Sequence, residues 1–142
     1  MTRIQDILRD RTLFSVEIDQ SVADVARRMA DLRVGAIMVL ANDDLRGLFS
    51  ERDLMTRVVV EGRNPETTPV GEVMTANLAT IDEAATLEEA LECMDRNNCR
   101  HLPVLRGGEV TGLLSMRDLM RFELDQKTEE LHHLKVYVHG SA

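Results

Sequence analysis

Gly47-Leu48-Phe49-Ser50-Glu51-Arg52-Asp53-Leu54-Met55 is written twice in this chain. Its second copy, Gly112-Leu113-Leu114-Ser115-Met116-Arg117-Asp118-Leu119-Met120, follows at an offset of 65 residues. The offset holds without a gap well beyond the motif: Ser15-Val16 falls on Thr80-Ile81, Ser21-Val22 on Thr86-Leu87, Met29 on Met94 and Val39-Leu40 on Val104-Leu105. A fixed internal offset marks a repeated supersecondary unit. The 142 residues therefore hold two copies of one unit, and a site built on one copy has a counterpart on the other.

Each copy of the motif begins as an apolar run, Leu45 to Phe49 and Val110 to Leu114, of the kind that forms a buried strand. A serine ends the run and an Asp stands three residues on. This is the spacing of a capping box, in which both side chains satisfy free backbone N–H groups at a helix start. Ser21/Asp24 and Thr86/Glu89 have the same spacing and need no ligand to explain them. Gly47 and Gly112 add a second reading, because glycine weakens a strand unless something must approach its backbone closely. A glycine-bearing strand end, a helix N-terminus and a carboxylate together suit a nucleotide. The N–H groups and hydroxyl match phosphate, and the Asp matches the two hydroxyls of a ribose. Cap and cradle are both open on the sequence alone.

Hydrophobic residues make up 44% of the chain and aromatic ones 3%, so the core is aliphatic and an adenine ring would lie between aliphatic side chains. The net charge of −8 and pI near 5.0 argue against general nucleic-acid binding. No apolar run approaches the roughly 20 residues of a membrane span, and Met1 to Asp6 lacks the apolar core of a signal peptide. A soluble, cytoplasmic protein is expected. Cys93 and Cys99 fit neither a metal pattern nor a disulfide framework. His132, His133 and His139 read as solvent-facing residues of a helix, and no metal site is expected.

Ile4, Ile7 and Leu8 have the spacing of a short leading helix, and Phe14 to Ile18 reads as a strand. Ser21 then caps a helix with Val22, Val25, Ala26, Met29 and Leu32 on one stripe. Ala36 to Leu40 is a strand, Asn42-Asp43-Asp44 turns the chain, and Leu45 to Phe49 returns antiparallel. Ser50 opens the second helix, and Gly62 to Pro69 is polar and rich in breakers. The second half follows the same order: Val70 to Thr75 for the leading helix, Leu78 to Ile81 for the first strand, and Thr86 as the next cap. Cys99 to Leu105, the turn Gly107-Gly108 and Val110 to Leu114 form the second hairpin. The helix from Ser115 has no breaker before Gly140. Its Met120, Leu124, Lys127, Leu131, Leu134 and Val138 alternate four and three apart, which suits either packing on its own domain or pairing in a dimer.

Two β-α-β-β-α units, each with Gly-apolar-apolar-Ser-x-x-Asp, and His101-Leu102-Pro103-Val104 ahead of the second hairpin, resemble a tandem cystathionine-β-synthase (CBS) domain pair, or Bateman module. The resemblance is to the stand-alone bacterial kind and covers roughly residues 4 to 124. It implies an α/β fold of α+β type with two repeats about a pseudo-twofold axis. The expected division is 1–62 for the first repeat, 63–69 for the linker, 70–124 for the second repeat and 125–142 for a C-terminal helical tail.

The resemblance further implies two clefts between the repeats that take adenosine-type regulatory ligands: AMP, ADP, ATP, NAD(H) or S-adenosylmethionine. In the first cleft Asp53 would hold the ribose and Ser50 a phosphate or ribose oxygen. The backbone near Thr80 and Ile81 would read the adenine, with Arg100, His101 and Arg117 on the phosphate side. In the second, Asp118 and Ser115 would take the equivalent roles, with Ser15, Val16, Gly35 and Ala36 around the base. Arg52 matches Arg117 there, but Gly35 and Ala36 replace Arg100 and His101, so its cationic side is poorer.

The expected function is regulatory: sensing cell energy or cofactor state through an adenine nucleotide, as a homodimer formed through the motif helices, with a protein effector downstream. The alternative is a structural adaptor dimer with degenerate clefts. An enzyme is not expected, because no Walker loop, His-Glu-x-x-His, Gly-x-Ser-x-Gly or dinucleotide fingerprint is present. No catalytic cofactor, nucleic acid or membrane partner is implied.

Overall fold

The computed structural model describes residues 2–9 and 11–140. A leading helix α1 (Ile4–Ile7) is followed by β1 (Ser15–Glu17), α2 (Val22–Leu32), β2 (Ala36–Ala41) and β3 (Asp44–Ser50). Helix α3 opens as Glu51–Asp53 and continues as a wider π-type turn over Leu54–Val59. A 3-10 turn at Val70–Glu72 starts the second series: β4 (Ile81–Asp82), α4 (Leu87–Asn97), β5 (His101–Arg106), β6 (Glu109–Ser115) and α5 (Met116–Gly140). The fold is α+β with two sheets of the same design, β1-β2-β3 and β4-β5-β6. In each, the first pair is parallel and the second antiparallel.

Local chemistry sets these elements much as the spacing predicts. The Ser21 hydroxyl accepts from the Asp24 N–H (3.1 Å) and the Thr86 hydroxyl from the Glu89 N–H (3.2 Å), capping α2 and α4. Both helices end on a left-handed residue, Arg33 and Asn98. Val22, Val25 and Met29 are buried against Val16, Ile37 and Phe49, so the amphipathic stripe of α2 closes the first core. The hairpins turn on Asn42-Asp43 and Gly107-Gly108, all four at positive φ, as two-residue hairpins with the twist of their strands require. Each hairpin also shifts register by one residue, directly opposite Gly47 and Gly112.

One strand differs from expectation. The strand read at Leu78 to Ile81 is present only as Ile81–Asp82. In the first repeat Ser15 pairs with Met38, and the offset places Thr80 opposite Pro103. Leu40 and Leu105 turn their carbonyls toward the neighbouring first strand, to the N–H groups of Ile18 and Glu83. Met38 and Pro103, two positions earlier, face the same way. Pro103 has no N–H to give, so the ladder starts one residue later.

The two units are completed by exchange. Ile4 is fully buried in the second core among Ile81, Leu87 and Leu102, although it leads the first repeat. Its N–H donates to the Ala85 carbonyl (2.9 Å), and the Gln5 N–H donates to Glu83 (2.9 Å). Reciprocally, Val70 and Val73 are buried in the first core, with the Val70 N–H on Gln20 (2.8 Å) and the Gly71 N–H on Ile18 (3.0 Å). Burying an aliphatic side chain of this size stabilises by about 1.5–3 kcal/mol, so each half lacks part of its core without the other's leading segment.

The exchange also accounts for the two motif glycines. A Cβ at Gly47 would lie 2.7 Å from both the Met74 Sδ and the Thr75 carbonyl oxygen, and one at Gly112 would lie 2.9 Å from the Leu8 Cδ1. What approaches the strand so closely is the other repeat's leading segment. At Gly47 part of the obstacle is backbone, bonded to Leu48 in both directions (2.9 and 2.8 Å), whereas at Gly112 it is the tip of a flexible side chain. Gly47→Ala should therefore lower the unfolding free energy by about 1–3 kcal/mol, the usual scale of overpacking, and Gly112→Ala by clearly less. Urea denaturation of the two variants decides the order, and a greater loss at Gly112 would contradict this account.

Candidate functional site

The start of α3 is built by Ser50 and Asp53 holding each other. The Ser50 N–H and hydroxyl both donate to the Asp53 Oδ2 (3.0 Å each), and the Asp53 N–H donates to the Ser50 Oγ (3.1 Å). Asp53 is buried, and the Thr75 hydroxyl lies 3.2 and 3.4 Å from its two carboxylate oxygens. Arg57, one turn along the helix, stands 3.7 Å from Oδ1. At the start of α5 the Ser115 N–H donates to the Asp118 Oδ2 and the Asp118 N–H to the Ser115 Oγ, both at 3.0 Å. Here the cross-repeat partner is a cation, Arg11, whose Nη1 is 2.8 Å from the Asp118 Oδ1. Both motifs are thus genuine capping boxes, and each carboxylate has a partner from the segment that crosses from the other repeat.

Of the remaining expected residues, Gly35 and Ala36 adjoin the Ser50 start, and Arg100 and His101 adjoin the Ser115 start. Gly35 and Ala36 lie beside Ser50: Ala36 is its register partner, and the Gly35 carbonyl accepts from the Glu51 N–H (2.9 Å). A Cβ at Gly35 would sit 3.3 Å from the Glu51 Oε1, so glycine makes room for that carboxylate. In the same way His101 is the register partner of Ser115, and the Arg100 carbonyl accepts from the Met116 N–H (2.8 Å). Val16 and Ile81 are buried and can offer a ligand only their backbones; Ser15 is half-buried and Thr80 exposed. Arg52, Arg100 and Arg117 are exposed.

Arg11, Glu51, Arg57 and Thr75 are the polar residues around the carboxylates that the motif reading missed. In the repeat alignment Arg11 falls on Ala76 and Thr75 on position 10, so no shared identity draws attention to them.

His101 feels the charge of a carboxylate from each start. Burial pushes its imidazole below the ordinary value of 6.5, the carboxylates of Asp118 and Glu51 pull upward, and Arg100 pushes down again. One of these carboxylates belongs to each repeat's motif. Among the described residues no His/Cys/Asp/Glu cluster could hold a metal ion, and none of the helices is long and apolar enough to cross a membrane. His132 is exposed; the side chains of His133, Val138 and His139 lie outside the described residues.

Two exchanged β-α-β-β-α units with capped Ser-x-x-Asp helix starts define a tandem-repeat architecture, and comparison with known proteins identifies it. The sequence model of the CBS domain matches residues 4–60 and 70–125, and the chain belongs to the CBS domain family. It is similar to the CBS domain-containing protein CBSX3, mitochondrial, of Arabidopsis thaliana, at 29% identity over 98% of this chain and 73% of that protein. It spans only 20% of two longer Arabidopsis CBS proteins. Among solved structures it resembles a putative signal-transduction protein with CBS domains from Burkholderia ambifaria, with 33% identity, TM-score 0.83, and 87% and 95% of the two chains covered. A CBS domain protein from Pyrobaculum aerophilum, complexed with AMP, is 29% identical with TM-score 0.74, covering 82% and 88%.

The position of His101 has a pH signature. The unfolded chain protonates this imidazole below about pH 6.5, whereas the folded protein resists until lower pH. The unfolded state binds more protons in that window, so stability should be full above it and fall as pH drops toward the folded-state value. His101→Gln should remove this share of the acid sensitivity. Urea midpoints at about pH 7.5 and about pH 5.5 measure it; an identical drop in both proteins would show that His101 is not held in its neutral form.

Proposed function

We propose that this CBS pair is a regulatory ligand-binding module, not an enzyme, that responds to an adenosine-containing ligand: AMP, ADP or ATP, with NAD(H) and S-adenosylmethionine as further members of the class. The observation that carries the reading is the pair of Ser-x-x-Asp helix starts in one tandem CBS unit, each carboxylate met by a polar group from the other repeat. The AMP complex of the Pyrobaculum aerophilum relative supports the ligand class. Asp53 and Ser50 take ribose and phosphate oxygens in the first cleft, with the Thr80 and Ile81 backbone at the base and Arg100, His101 and Arg117 at the phosphates. Asp118 and Ser115 take the same roles in the second, with Ser15, Val16, Gly35, Ala36 and Arg52 about them. For the ribose to bind Asp53 it must take the place of the Thr75 hydroxyl, whose bonds at 3.2 and 3.4 Å are the longest that the carboxylate accepts.

The functional unit in this reading is a homodimer. Met55, Val59 and Val60 at one motif helix and Met120 and Leu124 on the other are apolar, each more than half exposed. A soluble compartment, the cytoplasm, and an effector protein downstream complete it.

An adaptor without ligand is favoured by a different observation: packing alone explains both motif glycines, and capping alone explains both Asp residues. The two readings part at Asp53. A panel of AMP, ADP, ATP, NADH and S-adenosylmethionine in a thermal-shift assay should give stabilisation by at least one compound. Hydrogen bonds to a charged acceptor are worth roughly 1.5–3 kcal/mol. Asp53→Asn should therefore weaken that compound at least about tenfold, since ~1.4 kcal/mol is a factor of ten. Loss of stability of ~0.5–1 kcal/mol with unchanged affinity would leave Asp53 a cap and favour the adaptor.

A further inference from the structure

Helix α5 carries two apolar stripes, and the chain itself uses one of them. Leu119 is fully buried and Phe122 packs on the second core, so that side faces its own domain. The stripe ends there, because the positions that continue it, Gln126 and Glu129, are polar and exposed. The other stripe is Met120, Leu124, Leu131 and Leu134, each 60–65% exposed. Lys127 fills the step between Leu124 and Leu131, and the sequence carries the alternation of four and three to Val138. This is the spacing by which two helices pack along one seam.

The first repeat serves as an internal control. Its α3 presents the matching Met55 and Val59, also exposed, but the chain turns away at Gly62 with φ 69. Both motif helices therefore expose apolar residues close to their starts, while the stretch beyond Leu124 is a property of α5 alone.

We propose that the distal half of α5, from Leu124 onward, pairs in parallel with the same segment of a second copy of this chain. Charge selects this occupant. One flank of the stripe is acidic, with Glu123 and Glu130; the other carries Arg121 and Thr128, followed in sequence by Lys135. Two parallel copies bring the acidic flank of one helix to the basic flank of the other, Glu130 meeting position 135 of the second copy. Antiparallel copies would set the acidic flanks against each other and the basic flanks likewise. Lys127 has Glu123 four residues before it and Glu130 three after, spacings at which helical side chains meet. Parallel pairing also sets Lys127 against Lys127 of the second copy, a cost in stability at which a charged seam residue fixes register and limits how many helices join.

The inference rests on the dimer reading above and adds its geometry: parallel tails require the two second repeats to lie side by side. The test places Leu131→Cys and Leu134→Cys singly in the full chain with Cys93→Ser and Cys99→Ser, under mild oxidation. Parallel pairing sets like residues across from each other all along the seam, so both variants should form covalent dimers. Leu131→Glu/Leu134→Glu should raise the dimer dissociation constant at least about tenfold in sedimentation equilibrium, as loss of two buried leucines requires. A dimer that cross-links at neither position, or is unmoved by the double substitution, overturns the paired tail and leaves the domain dimer standing. Cross-linking at one position only overturns the parallel sense. A strictly monomeric chain overturns both readings.

Discussion

The exchange of leading segments is the constraint on which the rest of this fold depends. Ile4 lies in the core of the second repeat, and Val70 and Val73 lie in the core of the first. Each three-stranded sheet has only one long helix, α2 or α4, between its strands, and that helix leaves the far edge of the core open. The other repeat's segment closes it. The two halves must then fold as one cooperative unit, because opening either core exposes apolar surface in both. The same crossing forbids a side chain at Gly47 and crowds one at Gly112.

It also builds the site. Thr75 reaches Asp53 because the segment around Val70 to Thr75 runs along β3, bonded to Leu48. Arg11 reaches Asp118 because the chain leaving α1 passes the second sheet in the corresponding place. A packing device that seals the cores thus delivers one polar group to each motif carboxylate. The repeats share this architecture but not its chemistry, since one carboxylate receives a neutral hydroxyl and the other a guanidinium.

Much of this was legible in the residues and some of it was not. The repeat offset, the helix caps and both hairpin turns follow from local rules, and the family resemblance followed from their order. The inference that something must come close to Gly47 and Gly112 was sound in its physics, yet what comes close is polypeptide. No local pattern distinguishes a chain from a ligand at a bare backbone. The exchange itself is a non-local choice between two equivalent docking places, each offering the same apolar surface, so periodicity is silent on it. Thr75 and Arg11 stayed hidden for a related reason: their counterparts in the other repeat differ, and the eye for repetition passes over them. The shortened β4 was readable, because Pro103 stands where the first repeat has Met38.

The unequal partners give the two clefts unequal tasks if a nucleotide enters. At Asp53 a ribose hydroxyl would replace another hydroxyl, an exchange of like for like in which the capping bonds to Ser50 need not move. At Asp118 it would have to displace Arg11, whose side chain is nearly half exposed. The Asp118 side chain is only 12% exposed, so the displacement leaves a largely buried carboxylate without its counter-charge, which is costly. That loss is offset only if the released guanidinium finds another anion nearby, and a ligand phosphate is one. In the proposed reading the cleft at Asp118 is then the one that can gain a mobile cation, Arg11, on binding.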